Sequence, residues 1–171
     1  PKRAVAEQVR RVLVTVGGGD PEHLTPKFVR WAAEALKDAS VDVMIGPMFD
    51  EQGSSGLRPT AAVVHSNPQD IRSIMLRADL VLCGGGQTTY ELAATGTPAV
   101  AIRLAANQTQ NLAGLNSAQA LVWAGDAQDA DLETKAKRAL VALAGDPARR
   151  AALSQRGRAL VDGHGSARVA R

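Results

Sequence analysis

Two glycine runs, each directly after an apolar stretch, are the residues of this sequence best suited to chemistry. Gly17-Gly18-Gly19-Asp20-Pro21 follows Val12–Val16, and Gly84-Gly85-Gly86-Gln87-Thr88-Thr89 follows Leu80–Cys83 and leads straight into a helical pattern. Glycines let backbone N–H groups approach an anion closely, and a helix amino terminus adds partial positive charge. Two such loops on one sheet edge make a cradle for a diphosphate, whereas one alone is explained equally by a tight turn. Neither run has the GxxxxGK[ST] pattern, nor a clean GxGxxG with an acidic residue at the Rossmann spacing. ATPase and nicotinamide readings fall away.

Glu91 stands three residues after Thr88. It closes a capping box with Thr88, or it is a carboxylate at the mouth of the cradle that accepts hydrogen bonds from ribose hydroxyls. After Ala99–Ile102 comes Asn107-Gln108-Thr109-Gln110-Asn111. Carboxamides both donate and accept, which suits sugar hydroxyls and phosphate oxygens. For Asn107 alone, an N-cap on an exposed helix is the competing reading.

The elements that must position these residues alternate strictly. Strands are expected at Val12–Val16, Val41–Ile45, Ala61–His65, Leu80–Cys83, Ala99–Ile102 and, more weakly, Ala120–Trp123. Most are short runs of Val, Ile and Leu that are apolar on both faces, as parallel strands covered by helices are. Helices are expected from Thr25 (N-cap, with Pro26 first inside) to Asp38, from Asn67-Pro68 to Met75, and from Thr88 to Gly96. Three more are expected at Asn107–Leu115, Asp131–Ala144 and Pro147–Val161, and Gly46–Pro59 reads as a mobile loop. The pattern is that of a doubly wound α/β domain with a parallel, Rossmann-like sheet of about six strands and helices on both faces. In such sheets the ligand sits beyond the carboxyl ends of the strands, where strand order reverses.

Composition narrows the classes. The 171 residues are 45% hydrophobic and 22% charged with a net charge of +3, which suits one globular domain and excludes a disordered tail or a disulfide scaffold. Aromatics make up 3%, too few for a nucleic-acid stacking platform. Arg149, Arg150, Arg156, Arg158, Arg168 and Arg171 alternate with Ala and Leu and read as solvated helix faces. No apolar run reaches the ~18 residues of a membrane helix. The single cysteine, Cys83, reads as a core residue in a reducing, cytoplasmic setting. His23, His65 and His164 lack ligand spacing, and Asp129-Ala130-Asp131 precedes a helix and reads as capping. No metal and no cofactor are expected. Trp31 and Trp123 read as core. The chain opens on Pro1 rather than Met, so residues 1–10 read as a linker stub and 11–171 as the binding domain of a longer protein.

Taken together, Gly17–Pro21, Ala78–Gly86, Thr89–Pro98 and Asn107-Gln108 with Asn111 resemble the carboxy-terminal, nucleotide-binding half of GT-B glycosyltransferases. The likeness is nearest to the nucleotide-sugar hydrolase of pseudaminic-acid synthesis and the related spore-coat polysaccharide proteins, and Asp162–Val169 resembles their end. The resemblance implies that Glu91 binds the ribose of a UDP-sugar and that Gly17, Gly18, Gly85, Gly86, Thr88 and Thr89 surround its diphosphate, with Asp20 also among the substrate-binding residues. It implies that backbone groups of His65 and Ser66 hold the uracil. Asn107 is implied beside the reacting sugar, with Gln108 and Asn111 completing the amide motif. The family's catalytic His belongs to an amino-terminal half with no counterpart in these residues. A free-standing subunit recruited by a membrane partner, as in the split transferase of dolichol-linked oligosaccharide synthesis, is the alternative.

Overall fold

The computed structural model of the chain describes residues 4–20, 22–49, 57, 61–165 and 168. Among them run β1 (Arg11–Thr15), α1 (Thr25–Ala35), β2 (Ser40–Ile45), β3 (Val63–Ser66), α2 (Ile71–Arg77) and β4 (Leu80–Gly84). Then follow α3 (Thr88–Thr95), β5 (Ala99–Arg103), a 3-10 turn (Ala106–Gln108), α4 (Thr109–Ser117), β6 (Val122–Asp126), α5 (Leu132–Ala144) and α6 (Pro147–Leu160). The strands form one parallel sheet in the order β3-β2-β1-β4-β5-β6. The order reverses between β1 and β4, so the two glycine loops flank the switch point. This is the doubly wound architecture that the alternating pattern implies.

Strand alternation builds two cores. Val12, Val14, Leu80, Leu82, Val100 and Ile102 face α1 and α5, where Phe28, Ala32, Leu140 and Leu143 close the layer. Leu13, Val81, Cys83, Ala99 and Ala101 face the other side, against Met75, Leu92, Leu112 and Leu115 from α2, α3 and α4. Trp31 is buried against Phe28, with ring centroids 5.3 Å apart. Trp123 is only half-buried, at the β6 edge, and its indole N–H donates to the Gly125 carbonyl (3.0 Å).

Several expected boundaries move, each for a local reason. Thr25 does not cap α1. The Asp20 carboxylate accepts from the amides of Leu24 (2.9 Å) and Thr25 (2.7 Å) instead. Helix α2 starts at Ile71 rather than Asn67, because Asn67 takes a left-handed φ of 42° and Asp70 accepts the Ser73 amide as the actual cap. The last strand begins at Val122, after a turn at Gln119 (φ 55°) has placed Ala120 and Leu121 in the core. The Gly46–Pro59 stretch lies largely outside the described residues, as does part of the Asp162–Val169 tail. Arg150 is fully buried rather than a solvated surface residue.

Cys83, the penultimate residue of β4, lies in the α2–α4 core, where burial pushes its thiol pKa up to about 12. The thiolate is the reactive form. The native chain is therefore expected to leave an aromatic disulfide reagent unreacted at mildly alkaline pH and to react fully once denatured. Native labelling at the rate of a free thiol would contradict this burial.

Candidate functional site

The carboxyl ends of β1 and β4 bring the two glycine loops together. A side chain at Gly17, which has φ 109°, would meet the Thr88 hydroxyl at 3.9 Å, so the first loop faces the start of α3 across the switch point. The β2 loop crosses tightly over the first: Met48 N–H donates to the Gly18 carbonyl (2.9 Å). A Cβ at Gly46 would lie 2.5 Å from the Gly18 Cα, so only glycine permits this crossing. Gly18 itself stays exposed.

The second loop is braced from below by the amide motif. Asn111 Nδ2 donates to the Gly85 carbonyl and to Thr89 Oγ1, both at 2.8 Å. Gln108 Oε1 accepts the Leu104 amide (2.8 Å), and a Cβ at Gly85 would strike Leu112 at 2.6 Å. Thr89 is buried and donates to the Gly86 carbonyl (2.7 Å). Thus Asn111 and Thr89 hold the loop in shape, while Gln108 fixes the turn after β5. No side chain caps α3, and although the Thr89 and Tyr90 amides donate to the Gly86 and Gln87 carbonyls, its start carries the partial positive charge of a helix amino terminus.

That missing cap decides the capping-box alternative. Thr88 is the first helical residue, not the N-cap, and no hydrogen bond joins it to Glu91. Glu91 is exposed. Its carboxylate lies on a groove between α2 and α3 of about 370 Å³, together with Gln69, Arg72 and Ile71. Nothing in the sequence marked Gln69 or Arg72, because the groove is made by helix packing rather than by a motif.

Other expected residues are placed apart. Asp20 is 7% exposed, with its carboxylate committed to α1. His65 and Ser66 lie within β3, at the sheet edge and three strands from β4, which is ~14 Å at ordinary strand spacing. His65 Nε2 sits 3.5 Å from Asp42 Oδ2, so its ring turns toward the sheet. Ser66 is exposed at the strand end beside Asn67. Asp129 accepts from the Asp126 amide (3.2 Å) and Lys135 (3.0 Å), which holds its carboxyl below the usual range. Asn107 is exposed on the 3-10 turn, on the far side of α3 from the Glu91 groove.

No family model matches the chain. Among solved structures, MurG of Acinetobacter baumannii superposes with a TM-score of 0.63 at 19% identity, over 98% of this chain and 50% of that one. The glycosyltransferase SsfS6 of Streptomyces sp. SF2575, crystallised with thymidine diphosphate, gives 0.64 at 17% identity, over 90% and 37%. The fold is that of a GT-B carboxy-terminal domain. The sequence likeness agrees with the GT-B fold. Over 167 residues the chain is 30% identical to a UDP-N-acetylglucosamine–N-acetylmuramyl-(pentapeptide) pyrophosphoryl-undecaprenol N-acetylglucosamine transferase of Xanthomonas campestris pv. campestris (strain B100). That match covers 92% of this chain and 39% of the relative, so the chain spans about two fifths of the curated transferases it matches.

Proposed function

We propose that this chain is the donor-binding half of a GT-B glycosyltransferase that uses a UDP-sugar. The observation that carries the reading is the convergence at one switch point of two glycine loops, an uncapped helix start and the exposed Glu91 carboxylate. In this arrangement the nucleoside lies along the α2–α3 groove with both ribose hydroxyls on Glu91. The diphosphate meets the amides around Gly17, Gly18, Gly86 and Thr88, and the sugar reaches Asn107. As the anomeric C–O bond breaks, the leaving diphosphate keeps the electron pair, and preorganised amides stabilise its charge. The base is contacted from the Ser66–Gln69 turn beyond β3.

Hydrolysis, with water in place of an acceptor hydroxyl, uses the same half-site. Transfer is preferred because the curated transferases align over nearly all of this chain. The resemblance to proteins of nonulosonic-acid and spore-coat synthesis supports a role in building a surface glycan. An amino-terminal half supplies the opposite wall, and a cytoplasmic setting fits a lone, reduced cysteine. Glu91→Gln is expected to weaken UDP binding by roughly 1.5–3 kcal/mol, the scale of a charged hydrogen bond. Its melting temperature should hardly move. Calorimetry showing unchanged UDP affinity would remove Glu91 from the site.

A further inference from the structure

Beside Asn107 lies a second, open cleft of about 600 Å³, lined by residues of α3, α4 and α6. Asn107, Gln110, Asn111 and Tyr90 form one end, and Leu115 and Leu160 lie toward the other. No charged side chain lines it among the described residues, in a chain that is 22% charged. Two other clefts differ: the Glu91 groove holds Asp70 and Arg72, and one beside α1 holds Arg30 and Lys37. Tyr90 and Glu91 are neighbours on α3 and therefore point about 100° apart. The crest of this helix separates a charged groove from a neutral one.

That neutrality selects the ligand. Carboxamides offer donors and acceptors without charge, and the Tyr90 ring, 42% exposed, presents a flat apolar face with a polar tip. With no cation lining it, the cleft has amide donors but no charge to pair with a phosphate or carboxylate. Its aliphatic end, where Leu160 is 53% exposed, has no use for a hydroxyl-rich ring. The volume lies in the range that takes a drug-sized molecule, more room than a single hexose needs.

We propose that this cleft is an acceptor subsite that binds a neutral saccharide carrying an apolar aglycone. The saccharide hydroxyls lie against the amides and the Tyr90 ring, and the aglycone lies along Leu115 and Leu160. The role as acceptor rests on the donor reading above, which places the reacting sugar at Asn107. The probe is n-octyl β-D-glucopyranoside, kept below its micelle threshold and titrated into the 171-residue chain, with UDP titrated in parallel. The expected result is a single saturable site, with glucose alone and octanol alone each at least about tenfold weaker, or ~1.4 kcal/mol. Tyr90→Ala and Leu160→Gln, both at exposed positions, should each weaken octyl glucoside by about tenfold or more and leave UDP affinity unchanged. No saturable binding, binding that neither variant shifts, or octanol binding as tightly as the glucoside would overturn the subsite and leave the UDP reading intact. Failure of the wild-type chain to bind UDP would instead overturn the donor reading, while the glucoside titration would still decide whether the cleft takes a saccharide.

Discussion

The 171-residue chain is expected to bind UDP and to release none measurably from any UDP-sugar. The groups proposed to contact base, ribose and diphosphate all lie on this sheet edge, so nucleotide affinity belongs to the chain itself. Catalysis needs more. Among the described residues lining the cleft beside Asn107 there is no His, Asp or Glu to take a proton from an attacking hydroxyl. Absence of a general base typically costs ~10²–10⁴-fold, and without the opposite wall proposed for an amino-terminal half the reacting groups lose part of the proximity contribution as well. In a protein carrying both halves, Asn107→Ala should lower turnover far more than it lowers UDP affinity, because Asn107 is proposed to face the sugar and not the nucleotide. Release of UDP by the purified chain at an enzyme-like rate, undisturbed by Asn107→Ala, would sink the half-site reading.

What could be read in the sequence followed from covalent rules and periodicity. Apolar runs such as Val12–Val16 and Leu80–Cys83 announce buried parallel strands, and glycine runs announce where backbone must approach something closely. Those are local statements, and with strictly alternating elements they imply a doubly wound parallel sheet, while the strand order itself is seen only in the fold. Long-range partners were less legible. Asp20 looked like part of the anion cradle, yet its carboxylate turns back four and five residues to α1. Gln108 and Asn111 looked like ligand contacts, yet Asn111 braces the Gly85–Thr89 loop and Gln108 accepts the Leu104 amide within its own loop. An amide that shapes a loop and an amide that touches a sugar have the same sequence signature. Only the carbonyl it reaches distinguishes them. Tyr90 carried no signal at all, because its surroundings come from α4 and α6.

Arg150 is the clearest case of a role hidden from sequence, and it carries the largest expected effect on stability. Its neighbours are Ala, Arg and Leu in a helical run, which reads as a solvated face. In the fold it is fully buried at the turn from α5 into α6. Nη1 donates to the carbonyls of Leu143 (2.6 Å) and Ala144 (2.7 Å) in the last turn of α5, where helical carbonyls run out of intrahelical partners. Nη2 donates to the carbonyls of Ala6 (2.6 Å) and Glu7 (2.9 Å), 144 and 143 residues away. Burial pulls its pKa down from the ordinary guanidinium range, while Asp79 and Asp146 oppose the shift. Arginine nonetheless stays protonated. Asp79 also fastens the next residues, since its carboxylate accepts the amides of Arg10 and Arg11, each at 2.9 Å. The segment entering β1 is thus held by one charged side chain from α6 and another from the start of β4. Arg150→Met keeps the apolar stem and removes every one of those donors, leaving the part-buried Ala144, Ala6 and Glu7 carbonyls without them, while Leu143 keeps the Asp146 amide (3.2 Å). The expected loss is about 3 kcal/mol, which for a domain of this size lowers Tm by roughly 6–12 °C. Arg150→Lys should recover little, because a point ammonium cannot reproduce a planar fork that serves two separate pairs of carbonyls. Amide exchange should quicken first at residues 6–9 and at the end of α5, ahead of the β4 and β5 core. A melting temperature for Arg150→Met within about 1 °C of the parent, with exchange at residues 6–9 unchanged, would show that the clamp contributes nothing.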